Sequence, residues 1–211
     1  MLLGAAPRSL QAIDRSAGFI GHARQQLPNP RVFFAVADAQ ALPFESASRD
    51  ADVSGLVLNF LPDPAQAVAE MARVVRRGGV CAAYVWDYAG KMEMLRLFWD
   101  TAVALDPHAH ALDEGRRFPL CGAEALGNLY VAAGLRGVEV RAIDVPTRFR
   151  DFDDYWSPFL GGQGPAPGYV GSLDLAQRER LRDGLRARLP LADDGSIALT
   201  ARAWAVCGYA H

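Results

Sequence analysis

The chain has 211 residues, 51% of them hydrophobic and 22% charged, with a formal net charge of -2. That balance belongs to a folded soluble domain and excludes a disordered chain. It also provides no basic field for nucleic acid or an anionic membrane, so neither is expected as a partner. No apolar run approaches the ~20 residues of a membrane span, and the opening "MLLGAAPR" is too short for the apolar region of a signal peptide. The three cysteines, Cys81, Cys121 and Cys207, are far apart with no metal-binding spacing. Reduced thiols, a cytoplasmic location and no metal are therefore expected.

In chain order, "SLQAID" (9–14) reads as a short apolar strand. Ser16 can cap a helix over "AGFIGHARQQL", where Phe19, Ile20 and Ala23 share a face and Pro28 and Pro30 end the run. "RVFFAVAD" (31–38) is almost wholly apolar, as in a strand covered on both faces. A polar connection, "AQALPFESASRDAD", leads to a second such strand at "VSGLVLNF" (53–60).

Asp63 followed by Pro64 marks a helix start, with Val68, Met71, Ala72 and Val75 at core spacing. Arg73, Arg76 and Arg77 suit the negative end of its dipole, and Gly78-Gly79 is its stop. "VCAAYVW" (80–86) is a fourth strand. Strands alternating with helices predict an α/β fold with a mainly parallel sheet.

Downstream, helices are predicted at 91–106, 122–135 and 174–189, and strands at 137–149 and 196–210. The aromatic, Gly- and Pro-rich stretch at 154–170 reads as a loop, and 151–195 as a lid over a substrate. His108 and His110 have no third ligand in view and read as solvated. The arginine-rich 174–189 helix reads as a solvated face.

The segments "AIDRSAGFIGHAR", "VADAQALPF", "VLNFLPDPAQAVAEMARVVRRGGV" and "AAYVWDYAG" together resemble the class I S-adenosylmethionine-dependent methyltransferases. The likeness is to the small-molecule branch related to quinone-biosynthesis C-methyltransferases, and it covers most of residues 9 to 90. It implies a Rossmann-like three-layer sandwich, one domain over 1–211, with an antiparallel final strand. It also implies S-adenosyl-L-methionine as cofactor and a small-molecule acceptor.

By the same resemblance, Asp14 with Arg15 and Ser16 holds the ribose, and Asp38 and Ala39 hold the adenine. Asn59 and Phe60 lie beside the methionine part. Trp86, Asp87 and Tyr88 end the strand after Gly-Gly, at the carboxyl edge where α/β folds bind ligands. Asp87 is the candidate general base, or else a capping carboxylate. Trp86, Tyr88, Trp156 and Phe159 are candidate acceptor contacts.

One departure stands out. In the family a first, central strand ends in an acidic-Gly-x-Gly loop, and nothing here matches either. "MLLGAAP" resembles the tail of the helix that follows that loop. The expectation is an N-terminally truncated domain lacking its first central strand, with cofactor binding weakened or lost. The sheet then closes by pairing 9–14 with 53–60, accepts a strand from another chain, or belongs to a longer protein of which this chain is a fragment. A non-catalytic binding module and an NAD-dependent oxidoreductase remain alternatives, and a homodimer is open.

Overall fold

The computed structural model describes residues 2–161 and 163–211. Strand β1 (Leu10–Asp14) leads through α1 (Ala17–Gln26) to β2 (Val32–Val36). Then follow β3 (Arg49–Gly55), α2 (Pro64–Val74), β4 (Val75–Trp86) and α3 (Glu93–Leu105). After the short α4 (Glu114–Arg117) come α5 (Ala123–Ala132) and β5 (Arg136–Phe149). Three helices, α6 (Phe152–Trp156), α7 (Pro165–Ser172) and α8 (Leu175–Arg188), precede β6 (Ile197–Tyr209).

The helix starts follow the capping chemistry. Ser16 accepts from the Phe19 amide and Asp63 from the Gln66 amide, with Pro64 in the first turn. Asp174 and Gln177 form a reciprocal capping box on α8.

The strands form two sheets. β1 and β2 pair in parallel, while the second sheet runs β3-β4-β6-β5, with β3 and β4 parallel and β6 antiparallel to both neighbours. β1 and β3 do not pair, so closure of the sheet by that route does not occur. Their amino ends are linked only through side chains, Arg49 donating to Gln11 at 2.5 Å. The turn after β2 is tied to the start of α2, where Gln40 accepts from the Asp63 amide at 2.9 Å.

Several expectations change. The strand expected over 53–60 lies at 49–55, because Leu56 turns the chain in the left-handed region at φ 59° and Leu58–Phe60 is a 3-10 turn. Helix α2 stops at Val74 and the chain becomes extended at Val75, so Arg76 and Arg77 are in β4, outside the helix dipole's reach. Arg76 instead pairs with Asp50 at 2.6 Å. Gly78, at φ 76°, belongs to the excursion in β4 that separates the Arg49–Val75 and Ala51–Val80 pairings. Strand β2 is not covered on both faces: Phe33 is 56% and Val36 55% exposed. The predicted 154–170 loop is mostly helical; within its "GGQG" run, Gly162 lies outside the described residues.

Two cores hold the fold. In one, Val68 and Met71 of α2 and Leu126 and Tyr130 of α5 cover Cys81, Ala83 and Val85 of β4 and Val206 of β6. Ile13 of β1 packs on the same cluster, joining the two sheets from this side. In the other, Phe98 and Trp99 of α3 pack with α6, α7, α8 and the start of β6.

Candidate functional site

The carboxyl ends of β1, β2, β3 and β4 are where the sequence places its candidates. Asp14 ends β1, and its Oδ1 accepts from the Ser16 amide at 2.7 Å. Ser16 itself caps α1, so its hydroxyl is engaged in starting the helix. Arg15 reaches from this turn to Asp38 beyond β2, at 3.8 Å. Asp38 also accepts from the Gln40 amide at 2.9 Å, which shapes the turn containing Ala39. The structure thus brings Asp14, Arg15, Ser16 and Asp38 together at one edge.

Asn59 sits in the turn after β3, and its Oδ1 is buried with no hydrogen-bond partner. A buried, unpaired carbonyl oxygen costs about 1–3 kcal/mol. Together with the left-handed Leu56 three residues before it, this is local strain at the carboxyl edge, where such strain commonly accompanies binding.

Phe60 is 58% exposed and meets Phe118 edge-on, with ring centroids 5.0 Å apart. Phe118 also contacts Tyr88 at 5.4 Å. These three rings form a half-open apolar mouth between the ends of β3 and β4. Burial, then the neighbouring Glu114 and Cys121, pushes the Tyr88 phenol up to about 12.

Asp87 is buried, and both its oxygens are engaged. Oδ1 accepts from the Gly90 amide at 2.8 Å and Oδ2 from the Lys91 amide at 3.1 Å. Here the carboxylate organises the turn into α3. Trp86 is half-buried at the end of β4, paired with Ala203. Trp156 and Phe159 are buried in the aromatic core of the helical cluster, where Phe159 stacks on Phe98 at 4.5 Å. Their rings are core packing, and the expected lid is a folded part of the domain.

The segment 113–121 was missed as part of this region. Asp113 caps α4 and takes Arg96 at 2.8 Å, while Glu114 accepts from the Trp99 indole N–H. Burial raises the Glu114 pKa most, with Asp113 adding to the effect. Gly115 lies so close to the Tyr88 turn that a β-carbon would fall 2.7 Å from the Tyr88 carbonyl oxygen. In the sequence, "HAHALDE" just before it reads as a solvated loop. His108 and His110 are exposed, and no group of three potential metal ligands converges among the described residues. The signal available was the apolar Phe118 four residues after a buried acid.

Comparison with known proteins agrees with this layout. The family described as "Methyltransferase domain" matches residues 2–83. The chain is 33% identical over 131 residues to the malonyl-[acyl-carrier protein] O-methyltransferase of Hahella chejuensis, covering 61% of this chain and 42% of that one. It is 29% identical over 139 residues to the 2-methyl-6-phytyl-1,4-hydroquinone methyltransferase of Synechocystis, covering 65% and 42%. The chain therefore spans less than half the length of these curated relatives. Among solved structures, a Bacillus halodurans protein provisionally assigned as a methyltransferase superposes with a TM-score of 0.61 at 12% identity. That superposition covers 98% of this chain and 85% of the other. Residues 2–83 thus match a methyltransferase domain, and the fold of the chain is similar to that of the superposed Bacillus halodurans structure.

Proposed function

We propose that the protein transfers a methyl group from S-adenosyl-L-methionine to a small, ring-bearing or otherwise apolar acceptor. The observation that carries this reading is the meeting of two carboxylates at the ends of β1 and β2, where Arg15 beside Asp14 reaches Asp38, with the buried, unpaired Asn59 oxygen in the turn after β3. The residues present fit the cofactor's adenosine end. Asp14 accepts from the ribose hydroxyls by charge-assisted bonds. The Asp38–Ala39 turn takes the adenine edge, and Arg15 orients Asp38. Asn59 offers its oxygen to a donor on the methionine portion.

The bound cofactor supplies an activated methyl group, so the chain's task is to align the acceptor and exclude water. Phe60, Phe118 and Tyr88 suit a flat apolar acceptor. Asp87 holds the turn that presents Tyr88, which is a positioning role rather than proton removal.

Calorimetric titration of S-adenosylhomocysteine into the chain tests this. Weak saturable binding, reduced at least tenfold in Asp14→Asn, is the expected result; binding indifferent to Asp14→Asn overturns the assignment. The break between β1 and β3 favours a second reading, a methyltransferase-fold binding module without chemistry. It gains ground if no heat is released.

A further inference from the structure

The turn that carries Tyr88 is fixed from two sides. From within, the Asp87 carboxylate takes the Gly90 and Lys91 amides, and the Asp87 carbonyl accepts from the Met92 amide at 3.0 Å. From outside, the 113–121 segment grips the Tyr88 and Ala89 peptide units. Gly115 lies so close that a β-carbon there would fall 2.7 Å from the Tyr88 carbonyl oxygen and 2.9 Å from the Ala89 α-carbon. The buried Cys121 thiol donates to the Glu114 carbonyl at 3.9 Å and accepts from the Tyr88 and Ala89 amides. Burial pushes that thiol up to about 11, so it stays neutral and keeps both roles. Arg96 and Trp99 of α3 in turn hold Asp113 and Glu114.

What this grip leaves free is the Tyr88 hydroxyl. Tyr88 is half-buried and its ring leans on Phe118, yet its hydroxyl has no hydrogen-bond partner among the described residues. It is not sealed in the interior either, unlike the unpaired hydroxyl of Tyr130. With its phenol pushed up to about 12, it keeps its proton at neutral pH and can donate. Holding a side chain in place costs conformational freedom, and a ligand that meets a pre-placed group is spared that cost. The neighbouring Phe60 and Phe118 rings suit any flat apolar body, so they select shape and not chemistry. The hydroxyl beside them adds the chemistry, since a few placed polar groups give an apolar site its specificity.

We propose that the 113–121 segment is a specificity element: by fixing the Tyr88–Ala89 peptide it aims the Tyr88 hydroxyl at an oxygen borne on the ring of a flat aromatic acceptor. Gly115 and Cys121 are positioning residues that act through Tyr88. Calling the ligand an acceptor rests on the methyl-transfer reading; the binding itself does not.

The probes are 2-naphthol and 2-methylnaphthalene, which share a flat ring system and differ by hydroxyl against methyl. Binding of each is followed by naphthalene fluorescence without cofactor. Tyr88→Phe loses only the hydroxyl. It should weaken 2-naphthol about tenfold, the size of one neutral hydrogen bond, and leave 2-methylnaphthalene within about twofold. Gly115→Ala keeps the hydroxyl but displaces the turn, and should weaken 2-naphthol selectively by about fivefold. Cys121→Ala should do the same, while Cys121→Ser, which can still donate and accept, restores the parent preference. Thermal melts establish that each variant folds. The proposal fails if neither probe saturates, if Tyr88→Phe weakens both probes equally or neither, or if Gly115→Ala and Cys121→Ala both keep the parent preference. Titrating S-adenosylhomocysteine into the same proteins separates the two readings. If the naphthol preference behaves as expected and S-adenosylhomocysteine does not bind, the methyl-transfer reading falls and the ring site stands. If S-adenosylhomocysteine binds and the preference ignores Tyr88→Phe, only the specificity element falls.

Discussion

The β1–β2 pair and the helical cluster of α3, α6, α7 and α8 have similar sequence character and opposite structural fates. Both are rich in aromatic and branched apolar residues. In the cluster those residues close on one another: Phe98, Trp99, Tyr155 and Phe159 are each no more than 2% exposed. In the β1–β2 pair, Phe33 and Val36 face solvent on a strand whose composition suits double coverage. Apolar content therefore reports what a segment is suited to meet, and topology decides whether it meets it. The helical cluster contains its own partners. The two-stranded piece has one helix, α1, and a free edge.

The largest test of this difference is in the cluster. Phe159→Ala removes a ring stacked on Phe98 and leaves a cavity lined by Tyr155 and Trp156. A loss of about 3–5 kcal/mol is expected, measured by urea denaturation with an unchanged m-value. A loss below about 1 kcal/mol, typical of tolerated sites, would mean that the cluster is loosely packed and behaves as the lid the sequence suggested.

The next effect lies where the cluster meets the carboxyl edge. Asp113 is 5% exposed and relies on Arg96. Arg96→Met leaves that carboxylate buried and unpaired, at a cost of about 3 kcal/mol, the lower end of the range for broken buried pairs. The lower end applies because Arg96 keeps 17% side-chain exposure. Asp113→Asn combined with Arg96→Met recovers part of the loss, since the unpaired charge goes with it.

Glu114, on the same segment, gives a pH signature. Burial raises its folded pKa above the ordinary 4.5. Between those two values the folded state binds more protons than the unfolded state, so stability falls as pH rises through that window. Glu114→Gln can still accept from the Trp99 indole and has no proton to lose. Its stability relative to the parent should therefore grow from pH 4 upward and level off once the folded carboxyl has ionised. Parallel denaturation curves at several pH values read this directly, and a constant difference between the two proteins would show that Glu114 is not held protonated.

How much of this was legible follows from which signals are local. Capping chemistry is local, so Ser16, Asp63 and Asp174 announced their helices, and the order of strands and helices gave the fold class. The carboxyl-edge residues Asp14 and Asp38 followed from strand ends and resemblance. What was misread depends on distant contacts. Trp156 and Phe159 looked like a lid because nothing in 151–195 reveals that Phe98 lies beneath them. Phe118 and Glu114 were overlooked because their neighbours, Phe60, Tyr88 and Trp99, come from three other segments. Strand β3 was placed too late because the left-handed turn at Leu56 uses a residue that rarely adopts it.

The smallest expected effect sharpens the opening contrast most. Phe33 is as apolar as Phe159 and lies in regular strand structure, yet it is mostly exposed. Phe33→Ser should change stability by no more than about 0.5 kcal/mol, the usual range for surface sites. Some loss is expected from lower strand propensity, and some gain from removing an exposed ring. If the change instead approaches that of Phe159→Ala, something covers β2 in solution. The same urea series run across a tenfold range of protein concentration then identifies the cause. A concentration-dependent midpoint means that a second copy lies on β2, whereas a constant midpoint means that the strand finds its cover within its own chain.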